Sequence, residues 1–381
     1  MFIVKEMEKM KLRSILLFIV IPVLLNGQSI RQSAVKQKYD QILNGRGVPS
    51  LYQILKFSES NNSYNFMAIG YFFDANNIMF KKTKDKKYLE ANWRVYDSLF
   101  GNTHDKSNYY QSKWSIKVRS SHSSAKFNGM GSLVYEGYFF RYLANFYDIL
   151  KSHKLYEERS DLVRESLAYT FERWSAPSIR RYGDQTNMYH QRLHIGSHWA
   201  TVAMILHKYS KESKYLSFYN DFNAQLKKAM KIVKINNVNC YQWDSTYPER
   251  FTSGLKQNKK YAVAAQDVSH GNHVVQFIID SYSQHYGNWN KTNLTYLGNT
   301  AKNILWKQDT KSFSTLLNGK GSNDKDLKGA GLKLSDGWMK LMSVDNSLKE
   351  MFSEYFDYNQ QTILPAFQGL QTLAVLYSYG Y

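Results

Sequence analysis

The stretch LVYEGYFFRYLANFYDIL, residues 133–150, decides the fold of this chain. Apolar and aromatic side chains occur around almost its whole circumference, which is typical of a helix that is buried on most sides. Residues 156–174 follow after a short connection and carry one apolar stripe beside a charged face, as expected of a helix packed on one side only. Together the two segments predict a hairpin of one inner and one outer helix.

The same pairing recurs along the 381-residue chain. Apolar segments occur at residues 66–80, 133–150, 198–209, 273–286 and 363–377, and more polar segments follow the first four at 88–100, 156–174, 215–233 and 294–306. This pattern predicts an all-α fold, an (α/α) toroid of about six or seven helical hairpins in a single domain that covers residues 28–381. It does not fit the strand–helix alternation of a doubly wound sheet, and residues 238–243 are compatible with a short strand.

Long polar connections join the hairpins, and each ends in a turn that opens the next apolar helix. The connections are residues 101–127, 175–196, 234–269 and 307–336, and the turns are FNGMG at 127–131, HIGSHW at 194–199, DVSHGNH at 267–273 and LSDGW at 334–338. Loops of this length inside a compact domain are usually functional. If inner and outer helices alternate, all four loops lie on one rim and form a cleft lined by helix N-termini, which suits a negatively charged polymer.

The N-terminal segment indicates export. Residues 1–27 combine a basic start, an apolar run at 15–25 and a small-residue end, which predicts a cleaved signal peptide, with a membrane anchor as the alternative. Cys240 is the one cysteine, so the chain has no disulfide framework. We therefore expect a secreted or periplasmic bacterial protein without stable membrane insertion after signal cleavage.

The charge balance indicates the kind of partner. The chain carries a net charge of +19 at pH 7, of which about +17 remains without the signal peptide. For an exported protein this excess indicates an acidic polysaccharide substrate and no nucleic acid. An aromatic content of 15% suits surfaces that stack on sugars, although core packing is the alternative for most rings. We expect a monomer.

The stretch NMYHQRLHIGSH, residues 187–198, is the densest group of candidate functional side chains. His190, His194 and His198 recur every four residues, the spacing that places three imidazoles on one face of a continuous helix. No carboxylate lies within the stretch, and Gly196-Ser197 is expected to cap the helix after the first two histidines, so we predict no metal and no cofactor. His198 is predicted to be catalytic or substrate-binding, with a structural role as the alternative. The same stretch contains four predicted substrate-binding residues: Tyr189, His190, Arg192 and His194.

The loop YQWDSTYPER, residues 241–250, places Tyr247 three residues before Arg250. A tyrosine has an ordinary pKa near 10 and needs an adjacent cation to act as a base at neutral pH, a role open to Arg250. The proline after Tyr247 favours an extended backbone, which helps to aim the side chain. An ordinary loop tyrosine packed on the rim is the alternative, and Trp243 is predicted to bind substrate.

The other turns supply further candidates. DVSHGNH is a helix start with Asp267 or Ser269 as its cap. Capping does not explain the histidines at 270 and 273, so His270 and His273 are predicted to bind substrate. Asn128 is predicted either to offer its amide to a substrate carboxylate or to cap a helix, and Trp338 to bind substrate.

These motifs resemble those of the (α/α)-toroid polysaccharide lyases, and most of all polysaccharide lyase family 38, whose members act on alginate or glucuronan. The resemblance lies in the Asn-Gly turn, the Ser-His-Trp helix start, the loop tyrosine and the Asp-x-Ser-His-Gly-x-His helix start, and it spans most of residues 40–381. It implies cleavage by β-elimination without a cofactor. The uronate carboxylate is neutralised, a base removes the C5 proton and an acid protonates the departing O4.

The resemblance also implies roles for individual residues. His198 matches the helix histidine that is the base or the neutraliser in that family, and Tyr247 matches the catalytic tyrosine. Asn128 matches the amide that neutralises the carboxylate. Arg250 or Arg192 matches the cation beside the tyrosine, and Tyr241, Tyr261 and Tyr189 compete with Tyr247.

Two other functions stay open at the level of sequence. A toroid glycoside hydrolase acting on unsaturated uronyl sugars needs one or two cleft aspartates as acid and base, and Asp184, Asp244 and Asp267 are available. A non-catalytic protein that binds acidic glycans needs aromatic and arginine side chains but no His/Tyr pair. The basic rim rich in histidine and tyrosine favours the lyase.

Overall fold

The computed structural model describes residues 29–60, 62–101, 131–175, 188, 192–245 and 265–381. The α-helices in these ranges are α1 (residues 29–43), α2 (Leu51–Glu59), α3 (Phe66–Thr83), α4 (Lys87–Phe100), α5 (Leu133–Ser152), α6 (Glu157–Ser175), α7 (Leu193–Ser210), α8 (Ser213–Ala229), α9 (Val268–Ser283), α10 (Lys291–Thr300), α11 (Lys349–Ile363) and α12 (Gly369–Val375). The predicted signal peptide, residues 1–27, lies outside the described residues. None of the described helices is long and apolar enough to cross a membrane.

Shorter elements connect and extend these helices. Short 3-10 helices lie at Ser63–Asn65, Lys325–Leu327, Ala330–Leu332, Met339–Ser343 and Asn346–Leu348, and π-helical turns at Ala301–Leu305 and Leu376–Gly380 extend α10 and α12. Strand β1 (Lys231–Ile235) pairs antiparallel with β2 (Val238–Gln242), and β3 (Trp306–Lys307) pairs antiparallel with β4 (Ser312–Phe313). Strands are therefore limited to two small hairpins within the part of the chain that the structure describes.

The inner helices form a closed ring. Helix α3 packs on α5, α5 on α7, and α7 on α9. The 3-10 helix Met339–Ser343 bridges from α9 to α12, and α12 packs back on α3. The ring explains the apolar circumference of these segments: in α7, for example, every side chain from Leu193 to Leu206 is buried.

The outer helices cover this ring and bury one face only. Helix α4 lies against α3, α6 against α5 and α7, and α8 against α7. Helix α11 packs on the π-helical end of α12. With inner and outer helices alternating around a closed ring, the predicted (α/α) toroid is confirmed.

The inner helices run in the same direction. Near their starts, the rings of Tyr138 on α5, His198 on α7 and His273 on α9 lie together, with centroids 4.5–4.9 Å apart. Near their ends, Lys208 of α7 lies 2.5 Å from Asp148 of α5. One end of the ring therefore collects the helix N-termini, as the positions of the long loops predicted.

The centre of the ring is polar. Lys340 lies 2.6 Å from Asp74 and 2.5 Å from Gln276, and the Gln371 amide donates to Asp74 at 2.7 Å. The Lys340, Asp74 and Gln371 side chains are almost completely buried. A buried charge is tolerated when it is paired and hydrogen-bonded. This polar network therefore occupies the centre of the ring in place of an apolar core.

Some predicted helix bounds and one predicted helix type are wrong. Helix α8 ends at Ala229 because Asn236 and Asn237 both adopt positive φ and form a two-residue hairpin turn, which draws residues 231–235 into β1. The predicted inner helix at 363–377 begins only at Gly369. Ile363 is the last residue of α11, and Pro365 stops that helix because it has no N–H to donate and its ring clashes with the preceding turn. The turn LSDGW opens a 3-10 helix rather than an α-helix.

Candidate active site

The starts of α5, α7 and α9 meet at one end of the ring. Ser132 caps α5 by accepting a hydrogen bond from the Tyr135 N–H, and Asp267 caps α9 by accepting one from the His270 N–H at 3.0 Å. These caps fix the first helical turns and so the positions of the side chains one turn further along. The positive ends of the helix dipoles point to the same place, an arrangement that favours the binding of an anion.

His194 and His198 lie one turn apart on α7. The helix begins at Leu193, so the predicted cap at Gly196-Ser197 is wrong, and both residues lie inside a continuous helix. Ser197 satisfies its hydroxyl within the helix by donating to the His194 carbonyl at 2.6 Å. His198 is completely buried, and neither of its ring nitrogens has a hydrogen-bond partner among the described residues.

His270 and His273 lie on α9, the next inner helix. The Nδ1 atom of His270 lies 2.7 Å from an Asp267 carboxylate oxygen, and the other oxygen accepts from the Ser269 hydroxyl at 2.6 Å. Asp267 is thus the cap and Ser269 supports it. The His270 side chain is 29% exposed, whereas His273 is buried.

The four imidazoles of His194, His198, His270 and His273 form one group, here termed the histidine cluster. Ring centroids are 4.2 Å apart for His194 and His270, and 4.9 Å apart for His198 and His273. Within the described ranges, no three His, Cys, Asp or Glu side chains are placed to hold a metal ion. The histidines that recur every four residues include His190, which lies outside those ranges, so the absence of a metal stays a prediction.

A hydrogen-bonded chain that the sequence did not predict lies beside the histidine cluster. The Nδ1 atom of His273 is hydrogen-bonded to Asp336, and because an ionised carboxylate only accepts, Nδ1 carries the proton. The Nε2 atom then accepts a hydrogen bond from the Tyr138 hydroxyl, 2.6 Å away. This hydrogen-bonded chain runs from Asp336 in the LSDGW turn, through His273 on α9, to Tyr138 on α5.

Arg141 balances the charge of this chain. Its Nη2 atom lies 2.5 Å from Asp336 and 2.9 Å from the Tyr142 hydroxyl, and its guanidinium stacks over the Tyr142 ring. Both Arg141 and Asp336 are buried. The sequence carried a signal for the pair: an arginine in the middle of the most apolar stretch is rarely buried without a carboxylate partner.

The surroundings set the protonation states. Burial, followed by the nearby Arg141 charge, lowers the pKa of His198 and of His273 well below the ordinary 6.5, so both imidazoles are uncharged at neutral pH. Burial raises the pKa of Tyr138 well above 10. Burial also acts to raise the pKa of Asp267, but the charge and hydrogen bonds of His270 outweigh it and hold that pKa below its usual range.

Three carboxylates at this end of the ring are engaged by other side chains. Asp336 pairs with Arg141 and Asp267 with His270. Glu136 pairs with Arg173, accepts from the Trp174 indole at 2.8 Å and is completely buried. None of the three presents an unoccupied carboxylate to an approaching substrate.

The two tryptophans predicted to bind substrate lie in the core. Trp243 and Trp338 stack on each other with centroids 6.1 Å apart, and the Trp338 indole donates to the Val268 carbonyl at the start of α9. Both are buried, so neither presents an exposed face to a sugar. Arg192 occupies the N-cap position of α7 and is partly buried.

Five predicted site residues lie outside the described residues: Asn128, Tyr189, His190, Tyr247 and Arg250. The structure therefore brings together the histidines at 194, 198, 270 and 273, and adds Tyr138, Arg141 and Asp336 to them. The predicted catalytic pairing of His198 with Tyr247 stays a prediction.

No protein-family model and no curated protein sequence matches the chain. Among solved structures, glycosyl hydrolase family 88 from Bacteroides vulgatus is similar at a TM-score of 0.48 and 12% identity, over 87% of this chain and 98% of that one. The GH76A alpha-1,6-mannanase from Salegentibacter sp. HEL1_6 is similar at a TM-score of 0.43 and 9% identity, over 87% and 99%. Likenesses this distant assign neither fold nor activity; the toroid follows from the helix contacts within the chain.

Proposed function

We propose that the chain is a polysaccharide lyase that cleaves an anionic polyuronate by β-elimination and leaves an unsaturated uronic acid at the new end. Alginate is the first candidate substrate and glucuronan the second. The substrate would lie across the end of the ring where the N-termini of the inner helices meet, with its carboxylates in the field of the helix dipoles.

The proposal rests mainly on one observation: both ring nitrogens of the buried His198 lack a hydrogen-bond partner among the described residues. A buried polar atom without a partner costs roughly 1–3 kcal/mol, so native proteins rarely keep one without a reason. His198 has two such atoms on an imidazole that is uncharged at neutral pH. A uronate carboxylate would accept a hydrogen bond from the protonated ring nitrogen and thereby give that nitrogen its missing partner.

That hydrogen bond would also serve the chemistry. The C5 proton of a uronic acid is only weakly acidic while the adjacent carboxylate holds its full charge. Hydrogen bonds to the carboxylate withdraw that charge and stabilise the enolate-like state formed when the proton leaves. By the resemblance described above, Asn128 would assist the neutralisation, and Tyr247 with Arg250 would exchange protons with C5 and O4.

The engaged carboxylates favour elimination over hydrolysis. A glycosidase of the usual kind needs two carboxyl groups that flank the scissile bond, one as acid and one as base or nucleophile. Among the described carboxylates, Asp336, Asp267 and Glu136 are each bound to a cation or an imidazole, and Asp244 pairs with Lys231 at 3.2 Å. Asp184 lies outside the described residues. The net charge of +19 suits a polyanionic substrate in addition.

The test is incubation of the purified protein with mannuronate-rich alginate, guluronate-rich alginate, glucuronan and a neutral mannan. We expect ultraviolet absorbance of a conjugated double bond to rise together with reducing ends on at least one polyuronate, and on no neutral mannan. Reducing ends without the absorbance would show hydrolysis instead. Binding without any new ends would show a glycan-binding protein, and either result would overturn the proposal. The His198→Gln variant controls for a contaminating lyase.

A further inference from the structure

His198 is held by rings and backbone rather than by hydrogen bonds. Its imidazole lies 4.8 Å from the Tyr138 ring and 4.9 Å from the His273 ring, measured between centroids. On the α5 side it lies against the backbone of Gly137, where an added Cβ would be 3.0 Å from the His198 Cβ and Cδ2 atoms. Among the described residues, no side chain donates to or accepts from either ring nitrogen.

Tyr138, by contrast, is fixed by polar contacts. Its hydroxyl donates to His273, which is tied to Asp336, which pairs with Arg141. The Arg141 guanidinium also lies 5.6 Å from the centroid of the Tyr138 ring. Every member of this chain is buried, so the ring that faces His198 has little freedom to turn.

From this arrangement we infer that Tyr138 is a positioning residue for His198, held in place by the chain to His273 and Asp336. The inference deepens the proposed lyase function and rests on it for its kinetic consequences. Tyr138 is not assigned contact with the substrate. Its ring and the Gly137 backbone form the seat of the imidazole.

Packing in this seat orients His198 without using either of its ring nitrogens. An imidazole is usually oriented by a hydrogen bond through one ring nitrogen, which leaves only the other nitrogen for a ligand. Orientation by ring packing leaves both nitrogens of His198 for the substrate, one to donate to the carboxylate and one to accept from a sugar hydroxyl. The hydrogen bonds instead fix Tyr138, and the Tyr138 ring in turn holds His198 by packing against it.

The test compares two substitutions at Tyr138 with a matched substitution at the next residue. Tyr138→Leu removes the ring, and we expect kcat to fall by about a hundredfold with KM within about threefold, because misplacement by about 1 Å has that effect. Tyr138→Phe keeps the ring and loses only its tether, so its kcat should fall by about tenfold or less. Phe139→Leu removes a buried ring that stacks on Phe66 and not on His198, and should keep kcat within about threefold.

A second readout does not depend on turnover. Nitrogen-15 NMR of the ligand-free protein, with the His198 signals assigned by their loss in His198→Gln, reports the tautomer and environment of this ring. Tyr138→Leu should shift these signals, and Phe139→Leu should leave them unchanged. Unshifted signals, or a folded Tyr138→Leu protein with wild-type kcat, would overturn the inference. If the wild-type protein cleaves no polyuronate, the NMR comparison still decides the inference, and only the proposed function fails.

Discussion

Gly137 of α5 lies directly against the side chain of His198 on α7. A methyl group at Gly137 would come within 3.0 Å of two His198 side-chain atoms, closer than a Cβ normally approaches. We therefore predict that Gly137→Ala pushes the imidazole out of its seat and lowers kcat by about tenfold or more. The gain of about 1 kcal/mol in helix propensity should be offset by overpacking, leaving the free energy of unfolding within about 2 kcal/mol of wild type.

Gly271→Ala is the matched control, since Gly271 also lies in the first turns of an inner helix. A Cβ there would meet its neighbours at 3.4–3.5 Å, an ordinary contact distance. Activity should therefore stay within about twofold of wild type. Equal losses in both variants would show that general strain at this end of the ring, rather than displacement of His198, limits turnover.

Stability should fall as the pH drops below about 6.5. Burial and the Arg141 charge depress the pKa of His198 and of His273 in the folded protein, whereas unfolding returns both rings to water. Between the ordinary and the depressed pKa the unfolded chain binds more protons, so the stability present above pH 6.5 is lost as the pH falls. Each imidazole contributes a slope of at most about 1.4 kcal/mol per pH unit, measurable by urea unfolding between pH 7 and pH 5.

Substitution isolates this contribution from the other titrating groups. His198→Gln should unfold with a shallower pH dependence than wild type, by up to about 1.4 kcal/mol per pH unit. A slope that is unchanged in His198→Gln would mean that this imidazole is not held neutral by the fold.

The ring of inner helices was predictable because its signal is local. Each inner helix carries apolar side chains on nearly all sides over one continuous stretch. The sequence of residues 133–150 therefore predicts a buried helix even when the helices that pack against it are not known. Helix α11 and the hairpin β1–β2 were harder. Their bounds depend on one or two residues: Pro365 ends α11 because it has no N–H to donate, and Asn236-Asn237 reverse the chain between β1 and β2.

The site was only partly predictable because its partners are distant in sequence. Histidines at helix starts were recognised from their turns, and four of them do meet. Arg141 and Asp336 are 195 residues apart in sequence. Their pairing depends on how α5 and the LSDGW turn are placed relative to each other in the fold, and local residue spacing does not predict that placement. Trp338 was singled out for its ring, whereas its neighbour Asp336 is the residue that reaches the site.

Chelation should not affect activity. The stretch with histidines at 190, 194 and 198 contains no carboxylate, and elimination needs only charge neutralisation and proton transfer. We predict that dialysis against EDTA leaves the rate of polyuronate cleavage within about twofold. A loss of activity that zinc alone restores would assign these histidines to a metal.

Tyr247 is predicted to exchange the protons in the elimination. When base and acid act on the same side of the sugar, one tyrosine beside a cation can do both in turn. Tyr247→Phe removes only a hydroxyl and should lower kcat by at least about a thousandfold with little change in KM, which corresponds to roughly 4 kcal/mol of transition-state stabilisation. Near-native turnover of the folded variant would move the role to another tyrosine, with Tyr241 and Tyr261 next to be tested.

The pair of Arg141 and Asp336 should be strongly coupled in stability. Both side chains are buried, so Asp336→Asn leaves the guanidinium without its counter-charge and Arg141→Met leaves the carboxylate without its own. Each single substitution should lower the free energy of unfolding by about 3–5 kcal/mol. The double variant should lose much less than the sum, because it buries no unpaired charge, and a double-mutant cycle in urea measures the difference. Simple additivity would show that the two charges are solvated separately, and that the chain to Tyr138 does not depend on their pairing.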